Sequence, residues 1–346
     1  MSTHHYCTLF ESTYLPRGLV MVRSLLRVDP AATVHVYCMD VITERVLRSL
    51  QLERVSVIGL RELEDYDPSL AAVRPLRTLG EYCWTATPSV CLHSLDHGGA
   101  AAGVTYLDAD LEFYADPRPV FAERPDASIL LTPHRYSPDQ YAARRDHPTL
   151  TGVFNVQFVH FRNDANARPA LTWWRERCLD WCYNRYEDGR FGDQRYLDDW
   201  PERFEGVHAV EHVGAGLAPW NARQFNLSAR NDQLLVGSVQ LIFYHYSALR
   251  LHAATLLGSA AALRGGSHGT VRGARWSNVR PLTPGEFQML WVPYLERVLA
   301  WVDELRALGF SRDYWFSDDY RGLKRLRDGL GRRHDRRATA ANRSRA

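Results

Sequence analysis

The sequence lacks the features that send a chain to a membrane, a zinc ion or a nucleic acid. No apolar run in its 346 residues approaches the roughly 20 needed to span a bilayer. The N-terminal stretch MSTHHYCTLFEST has no basic segment ahead of an apolar one, so it does not read as a secretory signal, and the expected location is the cytoplasm. Cysteines stand at 7, 38, 83, 91, 178 and 182. None forms a C-x-x-C pair and no histidines accompany them at zinc spacing, which leaves no zinc site and no disulfide framework. They are expected to be reduced core residues, with Cys178 and Cys182 on an apolar helical face beside Leu171, Trp174 and Trp181. Lysine occurs once against forty-one arginines, which reflects a GC-rich bacterial codon usage and not a mechanism. No basic patch interleaved with aromatics appears in the body of the chain, so nucleic acid is not an expected partner.

Positive charge is concentrated at one end. Residues 321–346 carry ten Arg and Lys against two Asp, a net +8, which leaves −6 on the rest of a chain whose total is +2. After Leu330 this end is poor in apolar residues. Residues 331–346 are expected to be a basic disordered tail, either simply solvated or in peripheral contact with an anionic membrane surface.

The apolar pattern of the first 115 residues alternates between two periods. HYCTLF, TVHVYCM, RVSVIGL and GVTYLDAD read as strands. LVMVRSLLRV and VITERVLRSLQL have helical spacing, and a further helix around TLGEYCWTATPSVCLHSL is expected to break near Pro88. Such repetition predicts an α/β fold with a mostly parallel sheet flanked by helices, whose ligands sit beyond the carboxyl ends of the strands. SILLT, GVFNVQFVHF, GVHAVEH and SVQLIFYHYS are strand-like and give a mixed second half. ALTWWRERCLDWCYNRY is an amphipathic helix. The segment from Thr283 reads as a long helix with a Thr cap and a closing Gly. The expected organisation is one domain over 1–330, with a nucleotide-binding half to about 115 and a sugar or acceptor half over about 116–320.

At the end of the fourth strand Asp108 and Asp110 follow an apolar run. In extended backbone, residues i and i+2 face one side, so both carboxylates are placed to share one hard cation, Mn²⁺ or Mg²⁺. Glu112 continues the alternation and is expected either there or in solvent. His245 ends another apolar strand, and an imidazole beside two carboxylates would make a mixed N/O site. Asn155 interrupts a strand with an amide that needs a partner. Asp193 and Gln194 follow a glycine in a polar turn, where Asp193 is equally suited to cap a helix.

YLDADLEF resembles the metal-binding D-x-D motif of GT-A glycosyltransferases, which use nucleotide-sugar donors. FNVQFVHFRND is similar to the F-N-x-G strand of the retaining galactosyltransferase and glycogenin group, GDQRYLDDW to its D-Q-x-x-L-N segment, and APWN and IFYHYS to the stretches that follow. These matches run in order over about residues 6 to 250. Gln157 stands where the glycine of F-N-x-G is usual, and HYSALR lacks the Gly and Lys-Pro-Trp that commonly follow the histidine. The resemblance implies a metal-dependent hexosyltransferase with a GT-A fold. Its metal ligands would be Asp108, Asp110 and His245. Thr8 would lie on the base and Tyr14 near the ribose or base. Asn155 would meet a sugar hydroxyl, with Arg250 in place of the lysine. Asp193 would bind the donor sugar and Gln194 would lie beneath the anomeric carbon. The acceptor would be a glycan or small molecule, and the sugar would keep its configuration. Asp198 and Asp199 are a further acidic pair, suited to a base, an acceptor anchor or a surface turn. Two other readings share the strand–helix start. A sugar-1-phosphate nucleotidyltransferase would need a Gly-rich loop with Arg and Lys after the first strand, which LFESTYLPRGLV does not supply. A non-catalytic sugar-nucleotide or glycan-binding protein would bind donor without releasing nucleoside diphosphate.

Overall fold

The computed structural model describes residues 4–97, 102–136, 148–252, 268–271, 274–277, 282–311 and 315. Its first half is a strand–helix alternation: β1 (His5–Phe10), α1 (Leu15–Val28), β2 (Thr33–Cys38), α2 (Val41–Leu50), β3 (Val55–Gly59), α3 (Leu60–Tyr66), α4 (Pro68–Val73), α5 (Leu79–His97) and β4 (Gly103–Leu107). β5 (Leu111–Phe113), β6 (Ile129–Pro133), β7 (Phe154–Arg162) and β8 (Val207–Ala209) follow. The central sheet has seven strands in the order β3-β2-β1-β4-β7-β6-β8. β3, β2, β1 and β4 are parallel, β7 is antiparallel to both neighbours, and β8 is parallel to β6. The α/β class and the mostly parallel sheet expected from the sequence are both present.

Strand alternation divides the core. Tyr6 and Phe10 of β1 and Val34, Val36 and Cys38 of β2 face α1 and the C-terminal helix Val292–Ala307. Cys7 and Leu9 of β1 and Tyr37 of β2 face α5 and the helix Ala167–Asp180. Both faces of a parallel sheet are thus covered, as its near-continuous apolar strands require. Trp174 and Trp200, both fully buried, fill the second face.

Several local expectations are corrected. α5 runs unbroken through Pro88. Next to the proline, the Thr87 hydroxyl donates to the Cys83 carbonyl at 3.2 Å, and Thr85 donates to Glu81 at 2.8 Å. The helix after residue 167 stops at Asp180, and Trp181 is extended, so Cys182 is buried beyond the helix and not on its face. The Thr283 start carries a capping box with Glu286, but a π-helical turn over Phe287–Trp291 interrupts the helix before Val292.

Two histidines of the sheet layer make stability pH-dependent. His35 bonds Ser94 at 3.4 Å and His160 bonds Thr105 at 2.9 Å. Burial pushes each down to about 4 from 6.5. Between those values the unfolded chain takes up protons that the fold refuses. The contribution of each histidine to stability is therefore complete above about pH 6.5 and is lost as pH drops toward 4, by about 2–3 kcal/mol per histidine. Chemical denaturation at pH 7 and pH 4.5 checks this. His160→Asn is expected to make the variant less sensitive to the drop in pH than the wild type by the contribution of one histidine.

Candidate metal centre and cleft

The acidic cluster sits where β4 ends. Asp108, Ala109 and Asp110 form a turn between β4 and β5, with the Leu111 amide donating to the Asp108 carbonyl at 3.4 Å. The two carboxylates therefore converge through a turn and not through strand alternation. A second layer brings the histidine. β9 (Ala215–Leu217) and the small antiparallel sheet of β10 (Leu227–Arg230), β11 (Gln233–Val236) and β12 (Val239–Gln240) lead to β13 (Phe243–His245), which His245 ends. β13 pairs antiparallel with β5, setting His245 opposite Leu111, and the Tyr246 amide donates to the Asp110 carbonyl at 2.9 Å.

His245 Nε2 lies 3.0 Å from Asp110 Oδ1 and 3.7 Å from Asp108 Oδ2. One ligand atom from each of the three residues falls within 4.8 Å of the others. Burial raises Asp108 to about 6, and Asp110 adds to the effect while His245 opposes it. Burial also works against the charged forms of Asp110 and His245, but their mutual ion pair prevails, holding Asp110 low and His245 high. The donor set and its spacing fit a divalent cation. Trp220 packs edge-on against the His245 ring at 5.2 Å and fixes its plane.

A cleft of about 350 Å³ opens over this cluster. Asp108, Asp110 and His245 line it together with Tyr14, Asn155, Asp193 and Gln194. Thus seven of the residues expected in the site come together. A register shift makes this possible: Leu131 of β6 pairs with Val159 of β7, but the next residue, Thr132, pairs with Asn155. Gly192, at φ +54°, makes the turn ahead of Asp193; a Cβ there would lie 3.4 Å from Trp84. Asp193 is buried, and that burial, with the nearby charge of Asp108, pushes its carboxyl up to about 8. Its backbone carbonyl accepts from Trp174 Nε1 at 2.9 Å.

Other expected residues lie elsewhere. Thr8 is fully buried within β1 and does not line the cleft. Arg250 is exposed at the start of the strand Arg250–His252, outside the lining. Asp198 accepts from the Val153 amide at 2.7 Å and pairs with Arg195 at 3.1 Å. Asp199 is exposed and pairs with Arg203. Glu112 is neither a metal ligand nor solvated: it is 1% exposed and takes a forked pair from Arg297, at 2.6 and 2.8 Å. Tyr114 also donates to it, at 2.7 Å. Breaking a buried pair strands the remaining charge. Because Arg297 is 40% exposed, Glu112→Ala is expected to cost less than the roughly 3–5 kcal/mol of a fully buried pair, about 2–3 kcal/mol, while leaving Mn²⁺ affinity unchanged. Urea unfolding and calorimetric titration separate the two.

The sequence reading missed several residues. Glu11, Cys83, Trp84 and Phe191 also line the cleft. The buried Arg17 stacks on Tyr14 at 3.5 Å and ties Thr13 to Leu249, donating to their carbonyls at 2.9 and 2.8 Å. A charged residue inside the apolar period of α1 was the one available signal. Ala248 lines the cleft in the left-handed region at φ +60°, close to where the resembling motif carries its glycine, and the side chain strains the turn.

The fold and cluster define an α/β protein with a carboxylate–imidazole centre at the carboxyl end of its strands. The chain belongs to the family of two Bacillus subtilis (strain 168) proteins, both named as uncharacterized. It is 31% identical to YfnD over 309 residues, 89% of this chain and 92% of that protein. It is 34% identical to YfnF over 253 residues, 72% and 82% of the two chains. No protein-family model matches it. Among solved structures it is similar to mouse xyloside xylosyltransferase 1, at 15% identity and a TM-score of 0.43 over 71% of this chain and 98% of that one. It is also similar to the galactosyltransferase LgtC with donor and acceptor sugar analogues, at 14% identity and 0.46 over 70% and 87%. For the glycosyltransferase GlyE of Streptococcus pneumoniae TIGR4 the figures are 15% and 0.39 over 62% and 46%. At these scores the likenesses decide nothing about chemistry, which rests on the side chains of the cleft.

Proposed function

We propose that the protein is a GT-A glycosyltransferase that depends on a divalent cation, Mn²⁺ or Mg²⁺. It would move a hexose from a nucleoside-diphosphate sugar, UDP-linked by the motif resemblance, to a hydroxyl of a glycan or small molecule, with retention at the anomeric carbon. The observation that carries this is the placement of Asp108, Asp110 and His245 around one point of a cleft whose other wall holds Asp193 and Gln194. Asp108, Asp110 and His245 would hold the cation, which would offset the charge of a departing diphosphate so that it would need no proton. Asp193 accepts from a hydroxyl of the donor sugar. Gln194 turns an amide toward the anomeric carbon, where a carbonyl oxygen stabilises oxocarbenium character. Tyr14 offers a ring face to the nucleoside, beside Glu11. A phosphate contact from Arg250 would need the 246–250 segment to turn inward on binding. The β1–α1 junction forms a short 3-10 turn over Ser12–Tyr14, and Glu11 caps it, so the backbone forms no triphosphate cradle of the nucleotidyltransferase kind.

The test is nucleoside-diphosphate release from UDP-, GDP- and TDP-sugars, with Mn²⁺ and with EDTA. Release that requires the cation supports the reading. Tight donor binding without release would make the protein a sugar-nucleotide binder. Pyrophosphate formation from a sugar-1-phosphate and a nucleoside triphosphate would make it a nucleotidyltransferase. No helix among the described residues is long and apolar enough to cross a membrane. The basic tail, 331–346, lies outside the described residues, and its proposed anionic contact is tested by vesicle binding before and after its removal.

A further inference from the structure

We propose that His134, acting through Asn155, and Tyr136, acting through Thr151, are positioning residues which hold the Gln194 amide in one orientation before any donor arrives. The inference rests on the role given to Gln194 above, but its geometry stands without it. Four contacts and a ring stack close a circuit. Asn155 Nδ2 lies 3.1 Å from His134 Nε2 and donates to Gln194 Oε1 at 3.3 Å. Gln194 Nε2 donates to the Thr151 carbonyl. The Thr151 hydroxyl bonds the Tyr136 hydroxyl at 2.7 Å, and Tyr136 stacks on His134 with ring centres 4.6 Å apart.

Donor and acceptor chemistry gives the circuit one sense. The Gln157 backbone N–H can only donate, and it reaches Asn155 Oδ1 at 3.0 Å. That fixes which end of the Asn155 amide is oxygen, so its NH₂ faces His134 and Gln194. His134 Nε2 must then be the bare, accepting nitrogen. The Thr151 carbonyl can only accept, so it selects the NH₂ of Gln194 and leaves the Gln194 carbonyl turned toward Asn155, which lines the cleft beside it. His134 is itself anchored: its backbone carbonyl accepts from Trp220 Nε1 at 2.8 Å and Asn221 Nδ2 at 3.0 Å. This gives the Pro-Trp-Asn stretch a task away from any substrate. Both ends of the Asn155 amide are engaged within the protein. We therefore assign it to orienting Gln194 in place of the sugar contact implied by the resemblance. A flipped Gln194 would present N–H groups to a developing cation, which is why its sense matters.

The test has two arms on the full chain. In the first, ¹⁵N NMR of the free protein reads the tautomer of His134 and the side-chain amides of Asn155 and Gln194. A bare Nε2 is expected. His134→Phe, which keeps the ring stack and removes the acceptor, should shift both amides and speed their exchange about tenfold. Tyr136→Phe, which loses only the hydroxyl, should shift Gln194 alone. A protonated Nε2, or Gln194 signals unmoved in both variants, overturns the proposal. In the second arm, diphosphate release is followed with Mn²⁺ and the sugar nucleotide the wild type uses. His134→Phe should lower kcat about tenfold with donor KM within twofold, the pattern of an interaction realised in the transition state. A raised KM at unchanged kcat overturns the positioning role. A wild type that releases no diphosphate sinks the transferase reading, while the first arm still decides the circuit.

Discussion

Asp110→Asn and Asp108→Asn are each expected to lower turnover about 10³-fold, a loss of about 4 kcal/mol of transition-state stabilisation. Their effects on the cation-free fold should differ. Asp110 is buried and pairs with His245 at 3.0 Å, so its loss leaves an imidazole without the partner that holds it charged. Asp108 is partly exposed, lies farther from the ring at 3.7 Å, and is raised from 3.8 to about 6 chiefly by burial. Such a carboxyl binds protons more tightly folded than unfolded. The fold therefore loses stability as pH rises from about 4 to 6, and the loss persists at pH 7. After allowance for its exposure the cost is about 1–2 kcal/mol. The neutral amide removes that cost, so Asp108→Asn should raise the melting temperature without metal by about 1–3 °C and abolish the rise that Mn²⁺ gives the wild type. Melting curves at pH 7.5 and pH 5, with Mn²⁺ and with EDTA, decide it. The gain should shrink at pH 5, where Asp108 is already protonated. An Mn²⁺ shift retained in both variants would remove the metal centre from this cluster.

The legible part of this protein was whatever its local pattern determines. The strands β1 to β4 and the helices α1 and α2 follow from apolar period, whereas the short α3 and α4 do not, and the position of Asp108 follows from a strand that runs into acids. Contacts made across the chain were not legible. Glu112 looked like a third acid of the cluster because its partner, Arg297, lies 185 residues away. The approach of His245 depends on a β13–β5 pairing that no spacing records. The phase change in β7 that turns Asn155 to the cleft depends on its register with β6. Pro88 was read as a break because propensity counts one missing N–H, whereas α5 is held between the sheet and the helix Ala167–Asp180. Asp193 and Gln194 came only through resemblance. Nothing local marks His134 or Tyr136, whose places follow from what the Gln194 amide requires.

Gln194→Ala is expected to slow transfer about 100-fold, near 3 kcal/mol, with donor KM changed less than about threefold. The reason lies in which groups can serve a given stereochemical course. Inversion needs an unprotonated base on the face opposite the leaving group, within reach of the acceptor hydroxyl. The three nearby aspartates are poorly suited to that role. Asp193 is raised to about 8 by its burial, with Asp108 adding to it, which favours its protonated form at neutral pH. Asp198 is committed to the Val153 amide and Arg195. Asp199 is outside the cleft and paired with Arg203. Gln194 does not titrate, lines the cleft, and has its carbonyl oriented by Asn155. An oxygen of that kind stabilises positive charge on the sugar without taking a proton, which suits an acceptor that attacks from the leaving-group side. Asp193→Ala should differ from Gln194→Ala by raising donor KM as well as lowering kcat, since a hydroxyl contact is made in the ground state too. The anomeric proton of the product, read by NMR, settles the course. An α-linked product from an α-linked donor is expected; a β-linked product would remove Gln194 from its role and require one of these aspartates to be freed as the base.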